Sequence, residues 1–559
     1  MTAQRVVGWV LALVTTIVVV VNQRDLGIAR DETVYMGAGS KYASWWTGLV
    51  TFDHGISKAN ITATWGGPKE TDNNREHPPF AKTMFGLSEK LVHDKLGLAG
   101  EVTAYRLPNA VLHGALVWLV YAFALAVWGF AEAMVAALLV MFLPRALFHA
   151  GIACFDAPIM TMWFATVYAY WKCLDGRRWP WQVGVLFGLA LATKHNALLL
   201  PFALGVHHAY VGFRAGRWKG IVTHRWRVLV SLAVLGPLTL VVVWPWLWFD
   251  TFAHVKDWIT FHLKHVHYNF EYLGENWNAP PFPWHVALVT TLFTVPVATL
   301  AAAFTGLGVW IARARASIAS PADAGRAAAP EAVRRVIDPR APALLLVLSA
   351  GVSIGPFLLG STPIFGAEKH WMPALPSFCI AAGVGAVWAA RRAIEVIDAR
   401  RTLPLRVQQI ALVAITGLVV LAAAVETRVA QPYALTSYNA LAGGAPGGAD
   451  LGMNRQFWGY AARGVLPELP KLLPEGGPVY THDAAGWGIY QQQGLLPRTF
   501  PDAGSEYRGG IERSRLALVI HERHFNRHDY LVWKAYGSVQ PVFVLRSHGV
   551  PIVSVYRRR

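Results

Sequence analysis

Ionisable side chains stand at the ends of apolar segments in this chain, where a membrane-spanning protein normally carries few. Asp31 and Glu32 follow the first apolar segment, and Glu76 and His77 lie further along the same polar stretch. A carboxylate that emerges from a helix end near lipid can act as a general base. The alternative is that Asp31 and Glu32 only form a solvated helix terminus.

Three lysines could stabilise negative charge at the same boundary. Lys82 follows the His-Pro-Pro motif of residues 77–79, whose prolines stop a helix and can hold a turn. Lys194 stands between two apolar runs, and Lys369 opens a later one. A lysine ammonium is a compact cation suited to phosphate oxygens. The alternatives are a capped turn at Lys82 and snorkelling to the membrane interface at Lys194.

Other polar residues could support these groups. Asp156 begins an apolar segment, where an aspartate ahead of a proline is also a common helix cap, and His370 follows Lys369. His262 and His265 could share a helical face and bind a metal ion, but no carboxylate joins them at a diagnostic spacing. Packing or substrate contact is the favoured interpretation. The sequence therefore specifies no cofactor, and it leaves a divalent metal ion open.

The elements that would position these side chains are membrane-spanning helices. Of the 559 residues, 54% are hydrophobic and 24 are tryptophan, which is typical of a polytopic membrane protein. The net charge of +17 is concentrated in loops between apolar runs, which indicates membrane topology rather than nucleic-acid binding. Spans are predicted at about 6–23, 106–128, 131–150, 157–174, 228–248, 285–311, 342–360, 372–390 and 407–426.

Basic clusters decide the orientation. They lie at 177–178, 214–227, 313–340 and 391–406, and the positive-inside rule places all of them in the cytoplasm. The stretch 182–212 could cross once, or twice with a hinge at 193–196. Two crossings keep the first two clusters on one side, which predicts eleven spans with the N-terminus inside and the C-terminus outside. The same topology places all the candidate acids, histidines and lysines on the outer side.

The composition turns polar after residue 426. Residues 1–426 are predicted to form the transmembrane module, with a first helix retained rather than cleaved as a signal peptide. Its outer loops are 25–105 and 249–284, and a cytoplasmic loop lies at 313–341. Residues 427–559 are predicted to form an extracytoplasmic α/β domain, with strand-like runs at 478–482, 516–520, 541–545 and 551–556.

Taken in order, these motifs resemble those of the GT-C membrane glycosyltransferases. The most similar are the bacterial dolichyl-phosphate-mannose–protein mannosyltransferases and lipid A aminoarabinose transferases, and the resemblance runs to about residue 426. Lys369 and His370 stand where the family has Arg and Tyr, so a point charge replaces a bidentate phosphate contact. The matching residues are Asp31, Glu32, His77, Pro78, Pro79, Lys82, Asp156, Thr193, Lys194 and the stretch Lys369 to Pro376.

The resemblance implies a hexosyl- or pentosyltransferase of the bacterial inner membrane, acting on its outer side. A polyprenyl-phosphate sugar would be the donor, and lipid A, protein or an envelope glycan would supply the acceptor hydroxyl or phosphate in a single inverting step. Asp31 would be the base, with Glu32 or Glu76 supporting it, and His77 would orient Asp31 or the phosphate. The phosphate contacts implied are Lys82, Lys369 and, as a further candidate, Lys194.

Two other functions stay open at this point. A transporter or flippase for polyprenyl-linked glycans would normally show paired repeats and a midplane site. We see no internal repeat, and the polar residues are predicted at one face, which favours the enzyme. A ligase that uses a pyrophosphate-linked donor is not separated from the first interpretation by the sequence.

Overall fold

The computed structural model describes residues 3–66, 73–176, 179–319, 341–504, 509–522 and 526–558. Within these ranges the chain is helical through Ala430 apart from one short β-hairpin, and mixed α/β beyond it. The predicted basic cluster at 177–178 and most of the one at 313–340 lie outside the described residues.

The first half of the helical part alternates long helices with short ones. Three of these helices fall in the predicted first outer loop, namely the long α2 and the short α3 and α4. The helices are α1 (Ala3–Asn22), α2 (Arg30–Val50), α3 (Lys58–Trp65), α4 (Phe80–Ser88), α5 (Glu101–Val127), α6 (Phe130–Met141), α7 (Pro144–Ala150), α8 (Asp156–Cys173), α9 (Trp181–Leu191) and α10 (Leu200–Thr223). A π-helical turn, Glu89–Lys95, extends α4.

The second half continues with α11 (Arg227–Val230) and α12 (Gly236–Val243), joined by the π-helical turn Ser231–Leu235. The predicted outer loop 249–284 contains α13 (Thr251–Leu263) and a small hairpin of β1 (Phe270–Tyr272) and β2 (Glu275–Trp277). The remaining helices of this part are α14 (Val286–Thr294), α15 (Val297–Ala319), α16 (Pro342–Ile354), α17 (Leu375–Asp398) and α18 (Leu405–Ala430).

Several of these helices are long and apolar enough to cross a membrane, which makes the protein a multi-pass α-helical membrane protein. Five of the described helices qualify alone, namely α1, α5, α15, α17 and α18 with short extensions. Two bent pairs could each add one span, because α6 and α7 meet at 65° and the segments His195–Thr223 and Arg227–Val243 meet at 48°. Eleven crossings stay a prediction.

Side-chain exposure separates lipid-facing helices from buried ones. On α18, Ile410 and Val413 are 68% and 71% exposed, as expected for contact with lipid. By contrast, α17 is mostly buried and packs tightly on α15, where a Cβ added to Gly306 would lie 1.9 Å from the Ala381 carbonyl oxygen. Small residues at such contacts let membrane helices approach closely.

Several helices are interrupted, and one of the breaks contains the predicted site residue Lys194. The stretch 182–212 is interrupted at the predicted hinge, between α9 and the 3₁₀ turn His195–Leu199. Lys194 is extended there, with φ −156° and ψ 141°, so its side chain leaves the helical path. Pro144 likewise begins α7 after the break that follows α6, and Pro296 lies between α14 and α15.

Beyond α18, the chain builds a four-stranded sheet from the four strand-like runs seen in the sequence. The strands are β3 (Val479–Thr481), β4 (Leu516–Ile520), β5 (Phe543–Ser547) and β6 (Val550–Arg557), in the order β3-β4-β6-β5. The first pair is parallel and the other two are antiparallel. The helices in this region are α19 (Gly444–Asp450), α20 (Leu469–Leu472), α21 (Trp487–Gln492), α22 (Gly509–Arg513) and α23 (Asn526–Tyr536).

This C-terminal part contacts the membrane-spanning part through buried side chains. Ile28 and Val102 belong to the same apolar cluster as strand residues such as Leu516. A second cluster joins Leu26 and Phe148 to residues after α18, including Trp458 and Tyr460. The segment just before α2 is therefore held between the two parts. The division of the chain at residue 426 stays a prediction.

Candidate active site

A cavity of about 460 Å³ collects most of the predicted site residues. Its walls come from the start of α2, the 74–77 turn, the start of α8, the break after α9, the 262–269 stretch and the turn before α17. The predicted residues that line it are Asp31, Glu76, His77, Asp156, Lys194, His262, His265, Lys369 and His370. Two predicted residues, Glu32 and Lys82, lie outside this lining.

Asp31 sits in the first turn of α2, beside the cavity. Its Oδ2 atom accepts a hydrogen bond of 2.9 Å from Nε1 of Trp458. The helix start is also pinned by the backbone, because the Arg30 amide donates to the Trp458 carbonyl oxygen at 3.0 Å. Among the described residues, none donates a hydrogen bond to the other carboxylate oxygen of Asp31.

Glu32 is fully buried and turns away from the cavity. Its carboxylate accepts from Nε and Nη2 of Arg106 at 2.6 and 2.8 Å, and from the amide of Ala153 at 2.8 Å. It also accepts from the amide of Ala29, which caps α2. These contacts connect α2 to α5 and to the segment before α8, so Glu32 fixes the position of the helix turn that carries Asp31.

The turn of residues 74–82 surrounds its own lysine. Nζ of Lys82 donates to the Asn74 carbonyl oxygen at 2.7 Å, to Asn74 Oδ1 at 2.9 Å and to the His77 carbonyl oxygen at 2.9 Å. Burial lowers the pKa of Lys82 to about 7, against the attraction of Glu76. The side chain of Glu76 accepts from Nδ2 of Asn74 at 2.8 Å and reaches the cavity wall.

Histidines and aromatic rings form one side of the cavity. The ring of His77 lies 5.4 Å from that of Phe155 and 5.7 Å from that of His262. Burial lowers the pKa of His77 well below its usual value, which favours the neutral imidazole. Nε2 of His262 lies 3.1 Å from the Glu76 carbonyl oxygen, while His265 packs its ring on Phe365 at 5.0 Å. In the described part of the chain, these residues do not join any group of three metal-ligating side chains.

Asp156 and Lys194 form an ion pair at the cavity wall. Nζ of Lys194 lies 2.7 Å from Oδ1 of Asp156, and Nδ1 of His149 lies 3.5 Å from Oδ2. Nζ of Lys194 also lies 3.4 Å from the Lys369 carbonyl oxygen. The cation of Lys194 is therefore partly neutralised by protein groups, and it fixes the position of the neighbouring 366–370 turn.

Lys369 differs from the other two lysines. Its ammonium lies 4.4, 4.6 and 4.9 Å from the ring centres of Trp458, Phe457 and Phe365. Over the residues that the structure describes, no oxygen accepts a hydrogen bond from its Nζ. Burial lowers the pKa of Lys369, and the nearby carboxylates of Asp31 and Asp156 oppose that shift. The next residue, His370, directs Nε2 at the Phe365 carbonyl oxygen and shapes this turn.

The site also contains residues that sequence reasoning missed. Arg106 and Arg145 are charged residues inside apolar runs, a signal that could have marked them. Arg145 pairs with Glu368 at 2.7 Å, one residue before Lys369. Phe457 and Trp458 carried no such signal, because their partners lie far away in the sequence. Among the described residues, the arrangement sets Asp31, with one carboxylate oxygen that accepts no hydrogen bond, near Lys369, whose ammonium donates to no oxygen.

Part of the first half of the sequence matches a known family. Residues 76–249 match the family model described as dolichyl-phosphate-mannose-protein mannosyltransferase. The matched range includes His77, Lys82, Asp156 and Lys194. The match confirms the resemblance to membrane glycosyltransferases that the motifs indicated. No curated protein matches the sequence.

Solved structures give weaker similarities over nearly the whole chain. ArnT from Cupriavidus metallidurans, bound to undecaprenyl phosphate, is 13% identical and has a TM-score of 0.47, with 99% of this chain and 98% of that one covered. The oligosaccharyltransferase AglB from Archaeoglobus fulgidus, in complex with an inhibitory peptide and a dolichol-phosphate, is 11% identical with a TM-score of 0.47. That comparison covers 95% of this chain and 71% of AglB.

Proposed function

We propose that this protein is a membrane glycosyltransferase that moves a sugar from a polyprenyl-phosphate donor to an acceptor hydroxyl or phosphate. The observation that carries the proposal is Lys369, a largely buried residue that lines the cavity and holds its ammonium among aromatic rings without an oxygen acceptor from the described residues. An anionic ligand would stabilise this cation, because an ammonium that is largely removed from water and has no counter-ion is energetically unfavourable. The family match over residues 76–249 supports a lipid-linked phosphate as that ligand.

On the donor side, Lys369 contacts the phosphate that links the sugar to the lipid. As the bond between the sugar and that phosphate breaks, negative charge grows on the leaving phosphate. A preorganised cation in a site with little water stabilises this charge more than water would. Lys194 contributes less, since Asp156 already neutralises much of its charge. Lys82 stabilises the 74–82 turn, because its ammonium donates hydrogen bonds to oxygen atoms of Asn74 and His77.

On the acceptor side, the free oxygen of Asp31 takes the proton of the attacking hydroxyl. The acceptor oxygen forms a bond to the anomeric carbon, the bond from that carbon to the phosphate oxygen breaks, and the lipid phosphate leaves. One such displacement inverts the anomeric centre. Glu76 and His77 line the space beside Asp31 and orient the acceptor. Glu32 holds α2 through Arg106 and stays outside the reaction.

The reaction is assigned to the outer side of a bacterial inner membrane. The support is the positive-inside rule, applied to the basic clusters at 214–227 and 391–406. The same orientation places the C-terminal sheet outside. The assay offers lipid A, protein and an envelope glycan as acceptors.

The test is sugar transfer by the purified protein in nanodiscs from defined undecaprenyl-phosphate sugars. Asp31→Asn keeps the size and polarity of the side chain but removes the base, so turnover should fall by about 10²–10⁴-fold. Binding of undecaprenyl phosphate should be retained. The matched control is Asp25→Asn, an exposed aspartate near the end of α1, which should leave turnover unchanged.

Two results would overturn this proposal. Near wild-type turnover in Asp31→Asn would remove the base from the mechanism. Transfer by the wild type from pyrophosphate-linked donors alone would make the protein a ligase of that class instead.

A further inference from the structure

The C-terminal part of the chain contributes one side chain that contacts both sides of the cavity. Trp458 lies on the loop that follows α19 and is 2% exposed. Its Nε1 donates to Oδ2 of Asp31 at 2.9 Å, and its ring centre lies 4.4 Å from Nζ of Lys369. One indole therefore contacts the proposed base with its edge and the proposed phosphate-binding cation with its ring.

We propose that Trp458 is a positioning residue for the transfer reaction, holding the Asp31 carboxylate and the Lys369 ammonium at a fixed separation. This inference rests on the proposed function and adds a role for the C-terminal part of the chain. It assigns Trp458 to act through Asp31 and Lys369, without contact to the reacting atoms.

The contact with Asp31 selects which oxygen is available for chemistry. A carboxylate has two equivalent oxygens, and a hydrogen bond to Oδ2 leaves the other one for the acceptor hydroxyl. Fixing the rotamer in this way matters because a general base must lie within hydrogen-bond reach of the proton that it takes. The charged or ionisable groups that act electrostatically with Asp31 are Arg30, Tyr35, Cys154, Lys369 and Asp483.

The contact with Lys369 stabilises a cation without consuming its hydrogen-bond donors. An ammonium over an aromatic face is attracted by the ring quadrupole, and tryptophan gives the strongest such contact. Because the ring offers no oxygen acceptor, the N–H groups of Lys369 stay available for phosphate oxygens. Phe457 and Phe365 complete the aromatic surround.

The backbone of Trp458 adopts a conformation that is unfavourable for a residue with a side chain. Trp458 has φ of 74°, in the left-handed region that side chains other than glycine rarely adopt. Such a conformation persists only when surrounding contacts enforce it, and it is frequent at functional sites. Here the Arg30 amide donates to the Trp458 carbonyl oxygen, and the side chain of the same arginine pairs with Asp483 at 2.8 Å.

The neighbouring glycine supports the same arrangement. Gly459 has φ of 71°, and a Cβ at that position would lie 2.0 Å from Oδ2 of Asp483. Any side chain there would displace the carboxylate that pairs with Arg30. The loop therefore places the Trp458 side chain at the cavity, while its backbone is hydrogen-bonded to the first residue of α2.

Two variants separate the contacts of Trp458. Trp458→Phe keeps an aromatic ring but removes the N–H, so kcat should fall by about 10- to 100-fold, the value of a hydrogen bond to a charged group. Donor binding should change little. The acidic limb of the pH–rate profile should move to higher pH, because a hydrogen bond to the ionised carboxylate favours that form. Trp458→Leu removes both contacts, so binding of undecaprenyl phosphate should weaken as well.

The matched control is Trp487→Phe. Trp487 is also buried in the C-terminal part, and its Nε1 donates to the Phe500 carbonyl oxygen at 3.0 Å, away from the cavity. It should lower thermal stability as much as Trp458→Phe does, with wild-type kcat and pH profile. The measurements are kcat, KM for the donor, the pH–rate profile and undecaprenyl-phosphate binding, all in nanodiscs.

The outcomes separate this inference from the proposed function. If the wild type transfers sugar and Trp458→Phe has its kcat and pH profile, Trp458 does not position Asp31. If Trp458→Phe loses kcat with an unshifted profile, its role is only structural. If the wild type neither binds undecaprenyl phosphate nor transfers sugar, the proposed function fails and this inference fails with it.

Discussion

The 74–82 turn and the 366–370 turn both bury a lysine beside the same cavity, and they treat its charge in opposite ways. The first turn gives Lys82 three oxygen acceptors from Asn74 and His77 within 2.9 Å. Around Lys369 of the second turn, the described residues place the rings of Phe365, Phe457 and Trp458 at 4.4 to 4.9 Å and no oxygen acceptor. Both lysines are nearly inaccessible, with exposures of 0% and 5%.

This difference distinguishes a structural cation from a ligand-binding one. A buried ammonium with its donors satisfied stabilises the chain around it, and removing it leaves its acceptors unpaired. A buried ammonium without oxygen acceptors has its desolvation only partly offset, so an incoming anion can complete its contacts. Sequence position alone does not make the distinction, since each lysine stands at the start of an apolar run.

Of the variants that compare the two turns, Lys369→Met should have the largest effect on activity. Lys369→Met keeps most of the stem and removes the charge, so sugar transfer should fall by about 10²–10³-fold, as when one preorganised charge contact is lost. Lys369→Arg should retain activity, because a guanidinium also binds phosphate. The control Lys256→Met removes an exposed lysine of α13. Equal activity in Lys369→Met and this control would show that Lys369 is not the ligand-binding cation that distinguishes the two turns.

An effect on folding rather than catalysis is expected at Lys82. Lys82→Met leaves the Asn74 and His77 oxygens without their donor, at about 1–3 kcal/mol for each unsatisfied group. The melting temperature in detergent should drop, while the protein that remains folded keeps its affinity for undecaprenyl phosphate. Lys82→Arg should be nearly as harmful, since a larger planar cation does not fit the fully buried site. A stable Lys82→Met variant that has lost donor binding would contradict this.

The smallest effect concerns a buried carboxylate on the far side of Arg30. Burial raises the pKa of Glu522 from 4.5 to about 8, although Arg30, 3.6 Å away, opposes the shift. The folded state then holds more protons than the unfolded state between these values, so stability should fall as the pH rises from 4.5 to 8. Thermal unfolding at pH 5.5 and 8.5 measures this decline.

Glu522→Gln should flatten that decline, because an amide does not titrate in this range. The exposed Glu512→Gln is the control and should follow the wild type. An identical pH dependence in all three proteins would show that Glu522 is ionised throughout.

Much of the cavity wall could be predicted from residue types at the ends of apolar runs. Placing Asp31, Glu76 or Lys194 near lipid is unfavourable without a role, so their presence there is informative. The strands β3 to β6 were visible as short apolar runs between turns. The polar residues 193–196 between two apolar runs likewise predict the helix break that separates α9 from the turn His195–Leu199.

The remaining features depend on contacts that sequence patterns do not encode. Glu32 stands next to Asp31, yet the neighbouring position on α2 points it to Arg106 and away from the cavity. Lys82 and Lys369 look alike in sequence, but only the folded turns determine which oxygens reach each ammonium. Trp458 belongs to a segment more than 400 residues from Asp31, and nothing in its local sequence indicates that contact.

The most direct test of the central claim is the affinity of the purified protein for undecaprenyl phosphate in nanodiscs. The comparison is between the wild type, Lys369→Met and Lys82→Met, each measured on folded protein. We expect Lys369→Met to bind at least about tenfold more weakly, the effect of losing one charge-assisted hydrogen bond, and Lys82→Met to bind as the wild type does. Wild-type affinity in Lys369→Met, or loss of binding confined to Lys82→Met, would contradict the assignment of Lys369 as the phosphate-binding cation.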